Sequence, residues 1–437
     1  MHRSEKRYRK LILALALVLL VMLPASLIRI SLAASQISAR TFTERTGRSS
    51  VITDRKGGVL SGGETDFDSV VGNLTGNGWS ADNTISRRYA GKLKPSGFNA
   101  LTGEAGLSDR SWKSLETTLL PVQDQVTLKD AFRGKRGCLF SYNYKTGEVY
   151  TLLSLPSASF LAAGEENADD GRLLNRCLDA SYISGSTMKV VTTICALEQD
   201  PSLAEASYDC GGRFETEGGM DVTCLGGKEG GHGTHDLAGA LGVSCNVYFA
   251  QLIRTLNVDQ AAQTLRQLGF TVNGISGSSL KNVGELDKTV SSTSFIDYKA
   301  GSLWSLIGQG STQVNVIDMA MIAGAAAGGG EAALPCVIAG EAKGKTKTLY
   351  SPETASLLSG YWSKATEQYY RDGGKGLTSL IDMAKTGTAE QGDGTVNRLL
   401  MGVSREKQTA FMIVVENWQE GDPMPADIAN TLMPLLP

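Results

Sequence analysis

The chain has 437 residues, with 42 Lys or Arg against 45 Asp or Glu and a formal net charge of -3. That length exceeds the roughly 250 to 300 residues at which a single core stops growing, so two folded parts are expected. The balanced charge, with no basic run outside the N-terminus, excludes an extended nucleic-acid footprint, and the 51 glycines follow no fixed period, which excludes a repeat architecture.

Residues 1–10, MHRSEKRYRK, carry five basic side chains against one Glu and run into an uncharged apolar stretch, 11–28, closed by Arg29. A basic flank before about 18 apolar residues predicts one membrane anchor with its N-terminus inside, so that the rest of the chain is extracytoplasmic. The competing reading is a cleaved signal peptide, with Leu32-Ala33-Ala34 as the cleavage site. From 29 to 115, short apolar runs such as Val51-Ile52 and Val59-Leu60 are separated by turn signals like Asp54-Arg55-Lys56-Gly57-Gly58. This predicts a small β-rich, loop-heavy domain.

Residues 116–437 form the second predicted domain. CLFSYNYKTGEVYTLLSLPS reads as a hairpin turning at Lys145-Thr146-Gly147. Helical periodicity follows in MKVVTTICALEQ, THDLAGALGVSCNVYFAQLIRTL and VDQAAQTLRQLGF. LIDMAKTGTAE, NRLLMGVS and TAFMIVVENW read as three strands of an antiparallel meander, joined at Gln391-Gly392-Asp393-Gly394 and Arg405-Glu406-Lys407-Gln408. Strands at both ends with helices between them predict an α+β fold, one antiparallel sheet carrying packed helices.

Seven cysteines, at 138, 177, 195, 210, 224, 245 and 336, cannot all pair with one another, so the chain is not a disulfide scaffold. Cys210 and Cys224 flank an apparent hairpin and can bridge in an oxidising compartment. A Cys2His2 zinc set of Cys210, Cys224, His232 and His235 lacks the short Cys-x2-4-Cys clip, so no metal is expected.

Ser-x-x-Lys, Ser-x-Asn and Lys-Thr-Gly recur in serine acyl-transfer sites that use lysine as base, and each occurs more than once here. Ser278/Lys281 has no Ser-x-Asn after it and Ser404/Lys407 has neither partner after it, so both read as solvated turns, while Ser141/Asn143 and Lys145-Thr146-Gly147 read as strand and turn residues of the first hairpin. Only Ser186/Lys189, Ser244/Asn246 and Lys385-Thr386-Gly387 run in order, on a helix start, an interhelical loop or helix start, and a strand.

At i and i+3 of a helix Lys189 reaches the Ser186 hydroxyl, but a lysine of pKa about 10.4 must be depressed by roughly 3 units to serve as base near neutral pH. Burial and a second cation, Lys385, both push that way. Ser244 would relay a proton between Lys189 and a leaving amine. Asn246 would bind the substrate backbone. Cys245, between them, is read as a packed thiol pointing away from the cleft. Gly387 would let substrate lie along the strand, Thr386 and Thr388 would hold a carboxylate, and the N–H groups of Ser186 and Thr388 would form an oxyanion hole.

These motifs resemble those of a class B penicillin-binding protein. Further likeness lies in Arg48 to Gly57, in Thr146-Gly147-Glu148, Ser154-Leu155-Pro156-Ser157, Asn175-Arg176, His232-Gly233 and Gly308-Gln309-Gly310, and in KTGTAE from Lys385 to Glu390. Departures are Ser184 where proline is usual, the loss of Thr-Pro after Gly-Gln-Gly, and NRLLMGVS in place of a His-Ala-Trp-Phe-like strand.

The resemblance implies an antiparallel sheet with helices on both faces, set on a small N-terminal pedestal behind the anchor. It also implies a D,D-transpeptidase that acylates Ser186 with peptidoglycan stem peptides, is inhibited by β-lactams, needs no cofactor and works beside a separate membrane glycan polymerase. The alternatives are a D,D-carboxypeptidase or β-lactamase of the same fold, or a slow β-lactam sensor or scaffold. Against a class A β-lactamase, Val283 stands at the glutamate position of Val283-Gly284-Glu285-Leu286-Asp287.

Overall fold

The structure is a computed structural model. It describes residues 50–61, 67, 69–72, 83–93, 98–99, 104–105, 114–157, 171–216, 221–224, 230–278, 280–297, 301–342, 344–372 and 376–437, and also Leu13, Ala16, Val18, Leu20 and Met22. Those last five are helical and exposed. Among the described residues no helix is long and apolar enough to cross a membrane. The rest of the predicted anchor and the Leu32-Ala33-Ala34 segment lie outside the described residues.

The centre of the fold is a five-stranded antiparallel sheet of β1 (Gly137–Asn143), β2 (Val149–Leu155), β3 (Met383–Glu390), β4 (Val396–Ser404) and β5 (Thr409–Val415), in the order β3-β4-β5-β1-β2. The first hairpin and the C-terminal meander are joined through β5 and β1, with Thr409 opposite Asn143 and Val415 opposite Gly137. Both ends of the domain therefore build one sheet. Every residue of β1, β2 and β5 is buried, as expected for strands covered on both faces.

The cover on one face is α6 (Val316–Ala327), whose run of small residues lets it lie close. A Cβ added at its Gly324 would sit 2.7 Å from Tyr144 Cβ and 3.2 Å from Ala410 Cβ. On the other face pack α1 (Val122–Ala131) and α8 (Pro425–Leu432), near the two ends of the domain. The helices between the hairpin and the meander include, besides α6, α2 (Met188–Gln199), α3 (Leu237–Gly242), α4 (Asn246–Thr255), α5 (Val258–Gln267) and α7 (Pro352–Thr366). The predicted helical run from Thr234 to Leu256 is two helices, because Ser244 takes a positive φ of 60° between α3 and α4.

Before residue 117 the described elements are short. Val51–Thr53 pairs in parallel with Ser114–Glu116, and two single-turn helices, Ile85–Arg88 and Ala90–Leu93, pack nearby. This region is fastened to the larger one through Asp54. One Asp54 oxygen accepts from the N–H groups of Lys56 and Gly58 at 2.7 and 2.9 Å, closing the predicted turn, and the other accepts from Val122 N at 2.9 Å.

Candidate active site

The segment ahead of α2 is held by Arg176, which is fully buried and donates from Nε to Glu416 at 2.9 Å, where the Tyr182 hydroxyl also donates at 2.9 Å. The turn Gly185–Thr187 then leads directly into α2. Thr187 donates its hydroxyl to Ser184 O at 2.6 Å. Ser184, at φ -69°, has the backbone angle that proline imposes, so the departure from the family pattern leaves the turn unchanged. Its hydroxyl adds a tie, donating to Gly308 O at 3.3 Å. Gly185 is required twice over, by its φ of +51° and because a Cβ would lie 2.6 to 2.9 Å from the O, C and N of Thr388. That closeness sets the serine turn against β3.

Ser186 is half-buried, and Lys189, one turn on, is fully buried. Lys189 Nζ lies 2.9 Å from Ser186 Oγ, 2.8 Å from Ser244 O, 3.2 Å from Ser244 Oγ and 2.5 Å from Asn246 Oδ1. No carboxylate is among these partners. Burial, and then the charge of Lys385, hold the Lys189 pKa well below the usual lysine range, while Cys245 and Cys224 act in the opposite sense. A neutral amine fits this setting: its two N–H groups satisfy the two carbonyl oxygens, which can only accept, and its lone pair is left for a hydroxyl proton. Lys385, also fully buried, donates from the far side to Ser244 Oγ and to Thr386 O, each at 3.0 Å.

β3 is an edge strand, and its outward backbone groups are occupied one after another. Ala384 donates from N to Thr366 Oγ1 at 2.8 Å and accepts at O from Trp362 Nε1 at 2.8 Å, both residues of α7, and Thr386 N donates to the Tyr370 hydroxyl at 3.2 Å. Thr388 is next in this alternation and turns its N–H the same way, toward Gly185. Gln309 Nε2 reaches Thr388 O at 3.5 Å. Thr386 Oγ1 meets the Tyr370 hydroxyl at 3.0 Å, and Arg398 Nη1 donates to Thr388 Oγ1 at 2.6 Å. Arg398 faces Thr388 across β3 and β4 and stacks 4.3 Å over the Trp418 ring. Sequence reasoning missed Arg398 and Tyr370. Pairing register would have exposed Arg398; nothing in the sequence marks Tyr370, which a π-helical turn at Glu367–Arg371 presents.

All eight predicted site residues, Ser186, Lys189, Ser244, Asn246, Lys385, Thr386, Gly387 and Thr388, therefore converge where α2, the α3–α4 junction and β3 meet. The rival motifs lie elsewhere. Ser141 Oγ pairs with Thr151 Oγ1 at 2.8 Å inside the sheet, and Asn143 Oδ1 accepts from Lys145 N at 2.9 Å in the hairpin turn. Ser278 caps the end of α5 by donating to Gln267 O at 3.0 Å. Ser404 is fully buried rather than solvated, because it ends β4, and Lys407 donates to Leu436 O at 3.1 Å.

Cys245 points away from Lys189, its sulfur accepting from Tyr248 N at 3.3 Å. There it joins Cys210, Cys224 and His232, whose ligand atoms all lie within 4.8 Å of one another. The metal-capable set is thus Cys3His, with Cys245 in place of the His235 considered from sequence. His235 pairs with Tyr208 on the strand leading away from Cys210. None of the cysteines is disulfide-bonded.

Residues 137–434 match the family described as the penicillin binding protein transpeptidase domain. The chain belongs to this family. Among curated relatives, the peptidoglycan D,D-transpeptidase MrdA of Acinetobacter baumannii is 28% identical over 156 residues, 33% of this chain but only 23% of that protein. The peptidoglycan D,D-transpeptidase PbpA of Mycolicibacterium smegmatis is 25% identical over 342 residues, 70% of this chain and 67% of that one. In structure the chain resembles PBPA of Mycobacterium tuberculosis, with a TM-score of 0.71 at 22% identity, covering 88% of this chain and 98% of that one. That protein has also been solved as a ceftriaxone acyl-enzyme, with a TM-score of 0.70 to this chain. At such identity the likeness establishes the penicillin-binding transpeptidase fold, an antiparallel sheet with helices on its faces.

Proposed function

We propose that this chain is a peptidoglycan D,D-transpeptidase that works through an acyl-enzyme on Ser186. The observation that carries the reading is Lys189 Nζ, buried and within hydrogen-bond reach of both Ser186 Oγ and Ser244 Oγ. Ser186 Oγ attacks the carbonyl carbon of the penultimate D-Ala and gives its proton to the lone pair of Lys189. The carbonyl oxygen gains negative charge, and the N–H groups of Ser186 and Thr388 receive it. Ser244 passes a proton to the departing nitrogen and is reprotonated by Lys189, so D-Ala leaves as the free amino acid. An amine of a second stem peptide then attacks the ester, its proton returns through Ser244 and Lys189, and Ser186 regains its hydrogen.

Substrate binding follows from the strand edge. The donor peptide lies along β3 at Gly387, with Asn246 hydrogen-bonded to its backbone. The terminal carboxylate, which a β-lactam carboxylate imitates, is met by the hydroxyls of Thr386 and Thr388 and by the charges of Lys385 and Arg398. No Asp or Glu stands beside Lys189 among the described residues, and Glu285, in the segment that resembles a hydrolytic glutamate motif, is exposed. This favours a long-lived acyl-enzyme over rapid hydrolysis. The region before residue 116 acts as a pedestal, and the 11–28 stretch anchors the enzyme with its catalytic domain on the extracytoplasmic side, where a separate glycan polymerase supplies the strands to be joined.

The test is a fluorescent penicillin applied to the wild type and to Ser186→Ala, with a stem pentapeptide and an amine acceptor supplied in parallel. Stable labelling confined to the wild type, together with cross-linked product, is expected. Labelling that survives Ser186→Ala would remove the nucleophile assignment, release within seconds would identify a β-lactamase, and tetrapeptide without cross-links would identify a carboxypeptidase.

A further inference from the structure

The sulfurs of Cys210 and Cys224 are 3.6 Å apart, those of Cys224 and Cys245 are 3.7 Å apart, and Cys210 Sγ is 3.6 Å from His232 Nδ1. These separations are far beyond the roughly 2.05 Å of a disulfide. They fit the edges of a tetrahedron around zinc instead. With Zn–S near 2.3 Å and Zn–N near 2.0 to 2.1 Å, the S···S edge is about 3.8 Å and the S···N edge about 3.6 Å.

The fold brings the four groups together from three separate segments. Cys210 ends the strand Tyr208–Cys210, and its pairing partner is Gly233, which puts His232 beside it. Cys224 follows the strand Val222–Thr223 and donates its N–H to Gly212 O at 3.1 Å, closing a hairpin with Arg213–Phe214. Cys245 caps α4. All three thiols are buried and His232 is half-buried. Three buried thiols and an imidazole, with their ligand atoms within 4.8 Å of one another and no disulfide between any two, make up the donor set of a Cys3His metal site. Soft sulfur and nitrogen donors in a closed four-fold set select zinc and leave no open position for catalysis.

We propose that Cys210, Cys224, Cys245 and His232 bind one structural Zn2+ ion that fixes the Ser244–Asn246 loop. The link to the active site is short. Cys245 lies between Ser244 and Asn246, and Asn246 Nδ2 donates at 2.8 Å to the carbonyl of Thr223, the residue before Cys224. That bond leaves Asn246 Oδ1 aimed at Lys189. The ion would therefore hold both ends of this bridge, and Ser244 with it. The ion site stands without the proposed function; its effect on acylation rests on that reading.

The experiment uses the full chain in detergent, purified without chelator. Elemental analysis should give about one zinc per chain in the wild type, in Cys195→Ala, a buried thiol outside the cluster, and in Ser186→Ala, which still holds zinc but takes no penicillin label. His232→Ala and Cys224→Ser should lose the metal. Exchange with Co2+ should produce the intense visible bands of a tetrahedral site and a sulfur-to-metal charge-transfer band. Stripping the wild type with a mercurial and chelator should slow penicillin acylation at least tenfold and lower Tm, and zinc added back under reducing conditions should restore both. Absence of both zinc and cobalt bands, or a disulfide mapped between Cys210 and Cys224, would overturn the site. Full acylation by metal-free protein would overturn the coupling while leaving the acyl-transfer reading intact.

Discussion

Lys189 and Lys385 converge on one oxygen: their amino groups lie 3.2 and 3.0 Å from Ser244 Oγ. Two ammonium groups cannot share a buried hydroxyl without strong repulsion, and among the described residues no carboxylate stands beside Lys189. Burial and the charge of Lys385 both depress the Lys189 pKa and so favour its neutral amine, as the base role proposed for Lys189 requires.

The acylation rate should rise with pH as Lys189 deprotonates, with the rise centred well below the ordinary lysine range, because its folded-state pKa is depressed first by burial and then by Lys385. Removing that second charge in Lys385→Ala should move the limb to higher pH. Lys385→Arg should leave it near the wild-type position. Rates of penicillin labelling across pH test this, and a Lys385→Ala profile that superimposes on the wild type after scaling would refute the coupling.

Arg398→Ala should weaken the reaction with carboxylate-bearing β-lactams about 10- to 100-fold, as expected when a charge-assisted hydrogen bond worth about 1.5 to 3 kcal/mol is lost. The loss should fall on the concentration dependence of acylation more than on its limiting rate, and a β-lactam methyl ester should be little affected. Equal loss for acid and ester would assign Arg398 to the packing on Trp418 instead.

Gly185→Ala forces a Cβ against the Thr388 peptide and an L-residue into positive φ. A cost of about 1 to 3 kcal/mol in stability is expected, with at least a tenfold drop in acylation as the serine turn moves away from β3. Chemical denaturation and labelling rates measure the two effects. Retention of full acylation would show that the close approach of turn and strand is not needed.

Away from the site, Lys288 and Asp318 form a buried ion pair, and Ser292 donates to Asp318 from N and Oγ at 3.1 and 2.8 Å. Asp318→Ala strands a buried ammonium and should cost about 3 to 5 kcal/mol. The double change Lys288→Met with Asp318→Leu should recover most of that. Denaturant midpoints of the wild type and the two variants decide it: a single mutant as stable as the wild type would mean that Lys288 finds water.

Much of this protein is legible one residue at a time. Apolar and aromatic runs on either side of the Lys145-Thr146-Gly147 turn gave β1 and β2, three late runs gave the meander, and MKVVTTICALEQ gave α2 to the residue, because strand and helix signals are local properties of the chain. The order of three motifs separated the Ser186 set from its look-alikes, and the i, i+3 spacing already placed Lys189 on the face of Ser186. Pairing and burial decided the rest. Arg398 enters the site only because β3 and β4 align it with Thr388, Tyr370 only because a helical turn closes over the strand edge, and Cys245 joins Cys210, Cys224 and His232 only because positive φ at Ser244 breaks one predicted helix into two. Local periodicity determines which elements form. Contacts between residues far apart in the chain depend on how those elements pack, and no spacing along the sequence records that.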